Sequence, residues 1–563
     1  MFVPRSNQPV LILGAGINGA ALARELVLNN VPVIVVDSHD ISSGATSRSS
    51  RLIHGGLRYL EYGDFALVRE SLVERERLLK LAPQFVQPLR LFIPVRRRFG
   101  GLIHAALKFL GAGSPSSTQA RGLWTVRLGL WLYDLCARSR RLLRSSVHRS
   151  SAGPVPHVDR GQFPWLCAYS DAQMLFPERF VVGLLDDARQ VAAGLGLDFR
   201  VWTYHRAKLD GRRVRIVPNE GGDASDEFEP SLIINASGAA GDLTLDQLHV
   251  TSPRLFAGTK GSHFVTFHAG LRKAIEPGAV YAEAPDGRLI FVLPFGDGVL
   301  VGTTDEFFEG DPVRAMATES ELEYLIGLVR HVFPDVGLTR ADVALHYSGV
   351  RPLPVTTSKT ASTVTRRHAI VESKAGSLSV LTLIGGKLTT CRQFAEEVTD
   401  RVLAKLHRPR IANTLDRPIP GGENYPADAE QLNAEWQRLS RETGHEASQV
   451  EAVWHLCGSR TAGILHSLAH GDKTSLVGTC LPVTFVRWVI EHEWVTRLED
   501  LFERRLMLVF QPELSLQTLV QLAQMLVDAT GPSSRESASG VEVLVDQYQR
   551  RLHEIYGRLV PDA

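Results

Sequence analysis

Three features of the 563-residue chain predict an α/β fold in which a βαβ-type region is interleaved with an antiparallel sheet and followed by an all-helical C-terminal part. A glycine-rich turn sits between two apolar strands near the N-terminus. Short alternating strands separated by polar turns fill residues 261–375, and helical periodicity dominates beyond 416. The chain is too long for one core. The expected division is 1–95, 161–260 and 376–415 for the βαβ-type domain, 96–160 for a basic helical segment, 261–375 for the antiparallel substrate domain and 416–563 for the helical domain.

The first feature is the sharpest. Val10 to Leu13 form an apolar strand that runs into Gly14, Gly16 and Gly19, spaced G-x-G-x-x-G. A helical pattern follows from Ala20 to Leu28, then a second apolar strand, Val31 to Val36, ending at Asp37. Glycines here permit a tight turn, close approach of backbone to a pyrophosphate and close helix–strand packing. The helix N-terminus turns unpaired N–H groups toward the phosphates. Asp37 stands where a ribose-binding carboxylate is expected. This is a Rossmann-type dinucleotide fold, and its fingerprint serves NAD and FAD alike. The polar run Ser42 to Ser50, in place of a third βα unit, favours FAD.

Residues 49–60, Ser-Ser-Arg-Leu-Ile-His-Gly-Gly-Leu-Arg-Tyr-Leu, read as a loop closing over a flat ligand. Paired glycines weaken both strands and helices. A helix is expected from Asp64 to Ala82, ended by Pro83. Residues 96–149 then carry eleven Arg or Lys against one acid, Asp134, beside two apolar stripes, one over 102–110 and one over 124–135 with two tryptophans. Basic residues flanking such helices suit an anionic membrane surface. A solvated basic face over an ordinary helical pair is the alternative.

Bulk properties exclude several classes. Net charge is +1, so no overall field points to nucleic acid. The five cysteines are scattered without a CxxC pair, which is neither a disulfide framework nor a zinc site, and no metal is expected. Neither a secretory signal nor a run of 18 apolar residues is present, so the expected location is cytoplasmic, peripheral on the inner face of the cytoplasmic membrane.

Further along, Phe180 to Ala193 reads as a helix capped near Gly194–Gly196, and Ser231 to Gly238 as a buried strand exit offering Ala236 and Gly238 to the cofactor. Lys260-Gly-Ser-His263 precedes an alternating strand. Arg351 sits in a constrained Gly-Val-Arg-Pro loop, and Arg366 follows near a strand start. Leu381 to Thr390 reads as strand, Gly385–Gly386 turn and helix start, with Lys387 in the turn. Helices are expected at 427–443, 448–456, 483–493, 498–510, 515–528 and 540–556.

Ser49 to Leu60, Lys260-Gly-Ser-His263, Ser348-Gly-Val-Arg-Pro352, Gly385-Gly-Lys-Leu-Thr-Thr390 and Glu491-His-Glu-Trp-Val495 together resemble the FAD-dependent, quinone-reducing, membrane-associated glycerol-3-phosphate dehydrogenases of bacterial aerobic type. The resemblance covers nearly the whole chain. It implies a glutathione-reductase-like FAD domain, an antiparallel substrate domain and a helical cap. It also implies that FAD takes a hydride from C2 of sn-glycerol 3-phosphate, with electrons passing to ubiquinone or another membrane quinone. A homodimer is a further expectation. FAD contacts are expected from Gly14, Gly16, Asn18, Gly19, Asp37, Thr46, Ser47, Ser50, His54, Gly55, Gly56, Ala236, Gly238, Gly386, Lys387, Leu388 and Thr389. Arg58, Tyr59, Arg351 and Arg366 would hold the phosphate end, because a phosphate dianion calls for several cations. Lys387 would stabilise negative charge near the flavin. His263 would take the hydroxyl proton, or a neighbouring cation would lower that hydroxyl's pKa. Arg351, Lys387 and His263 are thus the expected catalytic groups. The chain departs from the family pattern at Ala239–Ala240, Leu175–Arg179 and Arg367–His368, which leaves open another substrate, oxygen as acceptor, an amino-acid oxidase or a non-catalytic flavin protein.

Overall fold

A computed structural model describes residues 8–60, 64–99, 122–137, 139, 141–284, 286–355, 366–512, 514–530 and 540–561. β1 (Val10–Leu13), α1 (Ile17–Leu28) and β2 (Val33–Val36) form the expected right-handed unit. Val-Leu-Ile-Leu and Val-Ile-Val-Val are buried throughout, as a parallel sheet covered on both faces requires. The six-stranded sheet runs, edge to edge, Ala369–Ala375, Leu378–Ile384, Ile233–Asn235, β1, β2 and Phe199–Trp202. All its pairings are parallel except the first. One face packs α1 with the helices Pro177–Leu195 and Cys391–Lys405. A three-stranded sheet (His205–Asp210, Arg213–Pro218, Asp226–Phe228) and the helix Gly241–Gln247 cover the other.

The second layer is a ten-stranded sheet built around Thr259–Thr266, Gly298–Gly302, Leu289–Phe295 and Ala279–Glu283, with Leu345–Arg351 paired to the first of these. It also takes in Val86–Val95 and Trp165–Met174, which fall in the ranges 1–95 and 161–260 expected for the βαβ-type domain. They pair with each other over ten residues and join Ala279–Glu283 through Leu91 and Phe92. Which sheet a strand joins is set by long-range pairing, which periodicity does not report. One face of the sheet is covered by the helix Glu319–Val332. The other shares a single apolar cluster with Leu123–Ala137 and the C-terminal helices. The C-terminal part is therefore welded to the substrate sheet by a common core.

Three further expectations change. Within 49–60, Leu52–Ile53 is a short buried strand paired with Ala172 and Gln173, and Leu57–Leu60 is one helical turn. Ser49 to Arg51 and His54 to Gly56 remain loop, while Leu52 and Ile53 are buried apolar residues with an open edge to join. Arg351 closes a seven-residue strand instead of sitting in a loop; it pairs with Thr259. The helix expected over 498–510 is a π-turn at Asp500–Arg505 and a 3-10 turn at Leu508–Phe510, separated by Met507 at φ 58°. Among the described residues no helix is long and apolar enough to cross a membrane.

Candidate active site

A cleft of about 550 Å³ opens at the carboxyl ends of the six-stranded sheet and runs to the ten-stranded sheet. At its first end Gly14 lies at φ +112°, and a Cβ there would stand 2.5 Å from the Ala236 carbonyl oxygen. A Cβ on Gly19 would stand 1.9 Å from the Gly14 carbonyl oxygen, so this glycine packs helix against strand. No side chain caps α1, so its first-turn N–H groups remain for an anion, apart from that of Ile17, which donates to Thr46 Oγ1 at 3.1 Å. Asp37 accepts from the N–H groups of Ala15 (2.7 Å) and His39 (2.8 Å). Burial lifts its carboxyl to about 6 against those two donors. A glycine cradle, an uncapped helix start and a carboxylate at the end of β2 fit FAD's pyrophosphate and ribose.

The segment 47–56 crosses from this end to the other, and buried partners far away in sequence fix it. Arg51 gives Nη1 to Glu178 Oε2 (3.0 Å) and the Leu175 carbonyl (2.7 Å), and Nη2 to Glu178 Oε1 (2.8 Å) and the Ser47 carbonyl (3.0 Å). Its guanidinium also lies over the Phe295 and Phe510 rings. Tyr347 donates its hydroxyl to the Ser49 carbonyl at 3.0 Å. The Gly55 N–H donates to the Tyr133 hydroxyl at 2.9 Å. That hydroxyl donates to Asp171, which also takes Arg75 at 2.6 Å. A Cβ on Gly55 would stand 2.5 Å from the same hydroxyl, so the glycine is needed for this seat.

At the far end, Arg351 and Arg366 share Asp305, at 3.0 and 3.2 Å from separate carboxylate oxygens. Arg351 is held further by Thr303 Oγ1 and the Thr304 carbonyl. Two cations bridged by one carboxylate leave a net positive charge, which with Lys387 faces the cleft. His263 stacks on Tyr347 with centroids 5.0 Å apart, and its Nε2 is 2.8 Å from Ser50 Oγ. Its seat depends on Gly302, where a Cβ would meet the ring at 2.2 Å. Burial, with Arg351 and Arg51 nearby, pushes the imidazole down to about 3, so it is neutral. Its Nδ1 is buried and, among the described residues, has no hydrogen-bond partner. Burial likewise lowers His54 to about 4.

Of the expected FAD contacts, Gly14, Gly16, Asn18, Asp37, Thr46, Ser50, His54, Ala236, Gly238, Gly386, Lys387, Leu388 and Thr389 line the cleft. Asn18 also donates to the Gly385 carbonyl at 3.1 Å, joining α1 to the 385–386 turn. Gly19, Ser47, Gly55 and Gly56 are not among the residues that line it. His263, Arg351 and Arg366 line the far end. The side chains of Arg58 and Tyr59 lie outside the described residues. Arg367 and His368 turn away to Asp64 and Glu397 at 2.7 and 2.9 Å, and Glu178 and Arg179 serve buried ion pairs, so of the three departures only Ala239 and Ala240 reach the cleft. Sequence reasoning missed Arg48, Arg51, Asp305 and Arg551. Asp305 follows the strand Gly298–Gly302 through Thr303 and Thr304, and a polar strand exit of that kind could have flagged it.

A dinucleotide cleft joined to a cation-lined pocket beneath an antiparallel sheet defines a flavin-dependent oxidoreductase. The chain belongs to the FAD dependent oxidoreductase family (DAO), whose model matches residues 9–392, and FAD is its cofactor. Within that family it is 34% identical to the glycerol-3-phosphate dehydrogenase of Synechocystis, over 82% of this chain and 81% of that one. It is 31% identical to the D-erythritol 1-phosphate dehydrogenase of Brucella abortus (88% and 93% covered). Identity to the aerobic glycerol-3-phosphate dehydrogenase of Escherichia coli is 30% (89% and 93% covered). The fold matches the glycerol-3-phosphate dehydrogenase of Bacillus halodurans with TM-score 0.71 and 19% identity, covering 98% of this chain and 96% of that chain.

Proposed function

We propose that this enzyme oxidises sn-glycerol 3-phosphate at C2 to dihydroxyacetone phosphate and passes the electrons to a membrane quinone. The observation that carries the reading is the Arg351–Asp305–Arg366 cluster opening into the cleft with Lys387. Such a cluster suits a dianion better than a single carboxylate, which about one arginine satisfies. FAD, when bound, supplies the hydride acceptor. The chain's own residues do the rest. Arg351 and Arg366 hold the phosphate and fix C2, and Lys387 offsets negative charge growing on the substrate oxygen. The C2 hydroxyl proton goes to His263, which lines the same end of the cleft as a neutral imidazole. For Arg58 and Tyr59 the phosphate role rests on the family resemblance alone.

Delivery to a lipid-soluble acceptor is supported by the helix Leu123–Ala137. Trp124, Leu128, Trp131 and Leu135 are 43–58% exposed on one face, with Arg127 over the Trp124 ring. A helix with an exposed apolar stripe and basic flanks suits peripheral docking on the anionic inner face of the cytoplasmic membrane. The expected stripe over 102–110 lies outside the described residues. Steady-state reduction of a water-soluble quinone analogue tests the reading. Glycerol 3-phosphate should turn over well above D-erythritol 1-phosphate and glycine; preference for either of the others overturns it.

A further inference from the structure

The family match ends at residue 392, yet the helix Val541–Tyr556 reaches back to the dinucleotide end of the cleft, where Arg551 and Ile555 form part of the lining. A chain of buried polar contacts sets that position. Glu503 accepts from Tyr548 Oη (2.7 Å), Tyr556 Oη (2.9 Å) and Arg551 Nε (3.2 Å). The next two residues, Arg504 and Arg505, hold Asp40 at 2.6–2.8 Å, three positions beyond Asp37. The register of the C-terminal helix is thereby tied to the end of β2, where the ribose carboxylate lies.

Arg551 commits only Nε to Glu503; its two terminal nitrogens donate to no described residue. Its charge reaches His39 on one side and Arg48 on the other. Arg48 lines the cleft as well, and among the described residues it has no ion pair, only the Ala315 and Ser348 carbonyls at 3.4 and 3.3 Å. Both guanidinium groups line the one cleft, Arg551 with only its Nε engaged by Glu503 and Arg48 with carbonyl partners alone, so an anion entering there meets two cations. The first turn of α1 offers a helix dipole of about half a charge, whereas a pyrophosphate brings two negative charges.

We propose that Arg551 and Arg48 clamp the pyrophosphate of FAD, so that the C-terminal helix completes a cofactor site the matched domain leaves open. The C-terminal part is then a cofactor-retaining element in addition to a structural one.

Apoprotein prepared by removing FAD, titrated with FAD by flavin fluorescence and with ADP as a probe carrying the adenosine diphosphate half without the flavin, tests this. In Arg551→Gln the Kd for FAD should rise roughly 10- to 100-fold, as for a lost hydrogen bond to a charged group. ADP should lose a similar factor; the apoprotein's Tm falls as well, because Arg551 also neutralises the buried Glu503. Arg48→Gln breaks no ion pair among the described residues, so it should weaken both ligands alike with the apoprotein's Tm at the wild-type value. An FAD Kd within twofold of wild type in either variant overturns the proposal. So does, in Arg48→Gln, a weaker Kd accompanied by an equally lowered apoprotein Tm. If Arg551→Gln does not fold, Arg551→Lys keeps a positive charge beside Glu503 and carries the test. Replacing the fork by one ammonium should still weaken FAD at least about threefold; wild-type affinity in that variant overturns the proposal.

Discussion

Replacing Arg351 by Met removes one of two cations that share Asp305, and the consequence exceeds the loss of one phosphate contact. A charge-assisted hydrogen bond to a phosphate contributes about 2–3 kcal/mol, which alone predicts a fall in kcat/KM of roughly 30- to 150-fold. With Arg351 gone, Asp305 pairs only with Arg366, and the net charge of the cluster drops from +1 to zero, so the larger end of that range is expected. Adding Asp305→Asn to Arg351→Met returns the cluster to +1 and should recover a substantial part of the loss, although neither change adds a contact. The assay is steady-state kinetics with glycerol 3-phosphate at fixed ionic strength, alongside flavin content from the visible spectrum. Flavin content should be unchanged in both variants. An unaltered kcat/KM in Arg351→Met, or a double variant worse than the single one, would refute the shared-carboxylate reasoning.

Other consequences follow from the same contacts. Glu178→Gln leaves the Arg51 guanidinium buried without its counter-charge and should cost about 3–5 kcal/mol, read as a lowered Tm of the apoprotein; a shift under 1 °C would contradict the role given to that pair. FAD affinity should be flat above pH 6 and fall by up to about tenfold per unit below it. Asp37 titrates near 6 in the free protein, and ribose hydroxyls donating to it favour the carboxylate in the complex, so protonation opposes binding. Affinity constant from pH 7.5 to 5 would remove Asp37 from the ribose site. Trp124→Ser with Trp131→Ser should weaken sedimentation with anionic vesicles about tenfold while solution turnover on a soluble quinone analogue is retained; unchanged vesicle binding would place the membrane contact elsewhere.

What could be read from the sequence divides along a physical line. Gly14, Gly16, Gly19 and Asp37 were legible because their task is local: each acts within one βαβ unit, and its spacing is dictated by a turn and a helix start. The helix Pro177–Leu195, closed by Gly196 in the left-handed region, was legible for the same reason. Arg351, Lys387 and His263 are inconspicuous singly. They became site candidates through the set of motifs that carries the family resemblance, and the fold then places all three on one cleft. Partners across the fold could not be read at all. Nothing near Arg51 marks Glu178, 127 residues on, and nothing near Gly55 marks Tyr133, Asp171 and Arg75. Such pairings are set by which strands become neighbours, and periodicity does not specify that. For the same reason periodicity did not show that Val86–Val95 and Trp165–Met174 join the ten-stranded sheet, and Arg551 stood unnoticed beyond the matched domain.

Oxidation of a phosphate-bearing polyol through flavin bound in this cleft is tested most directly by anaerobic titration of the purified yellow holoprotein. Glycerol 3-phosphate should bleach the flavin absorbance in proportion to the amount added, with a soluble quinone analogue restoring the oxidised spectrum. Intact flavin that stays oxidised with glycerol 3-phosphate, or that bleaches with glycine instead, would contradict the account.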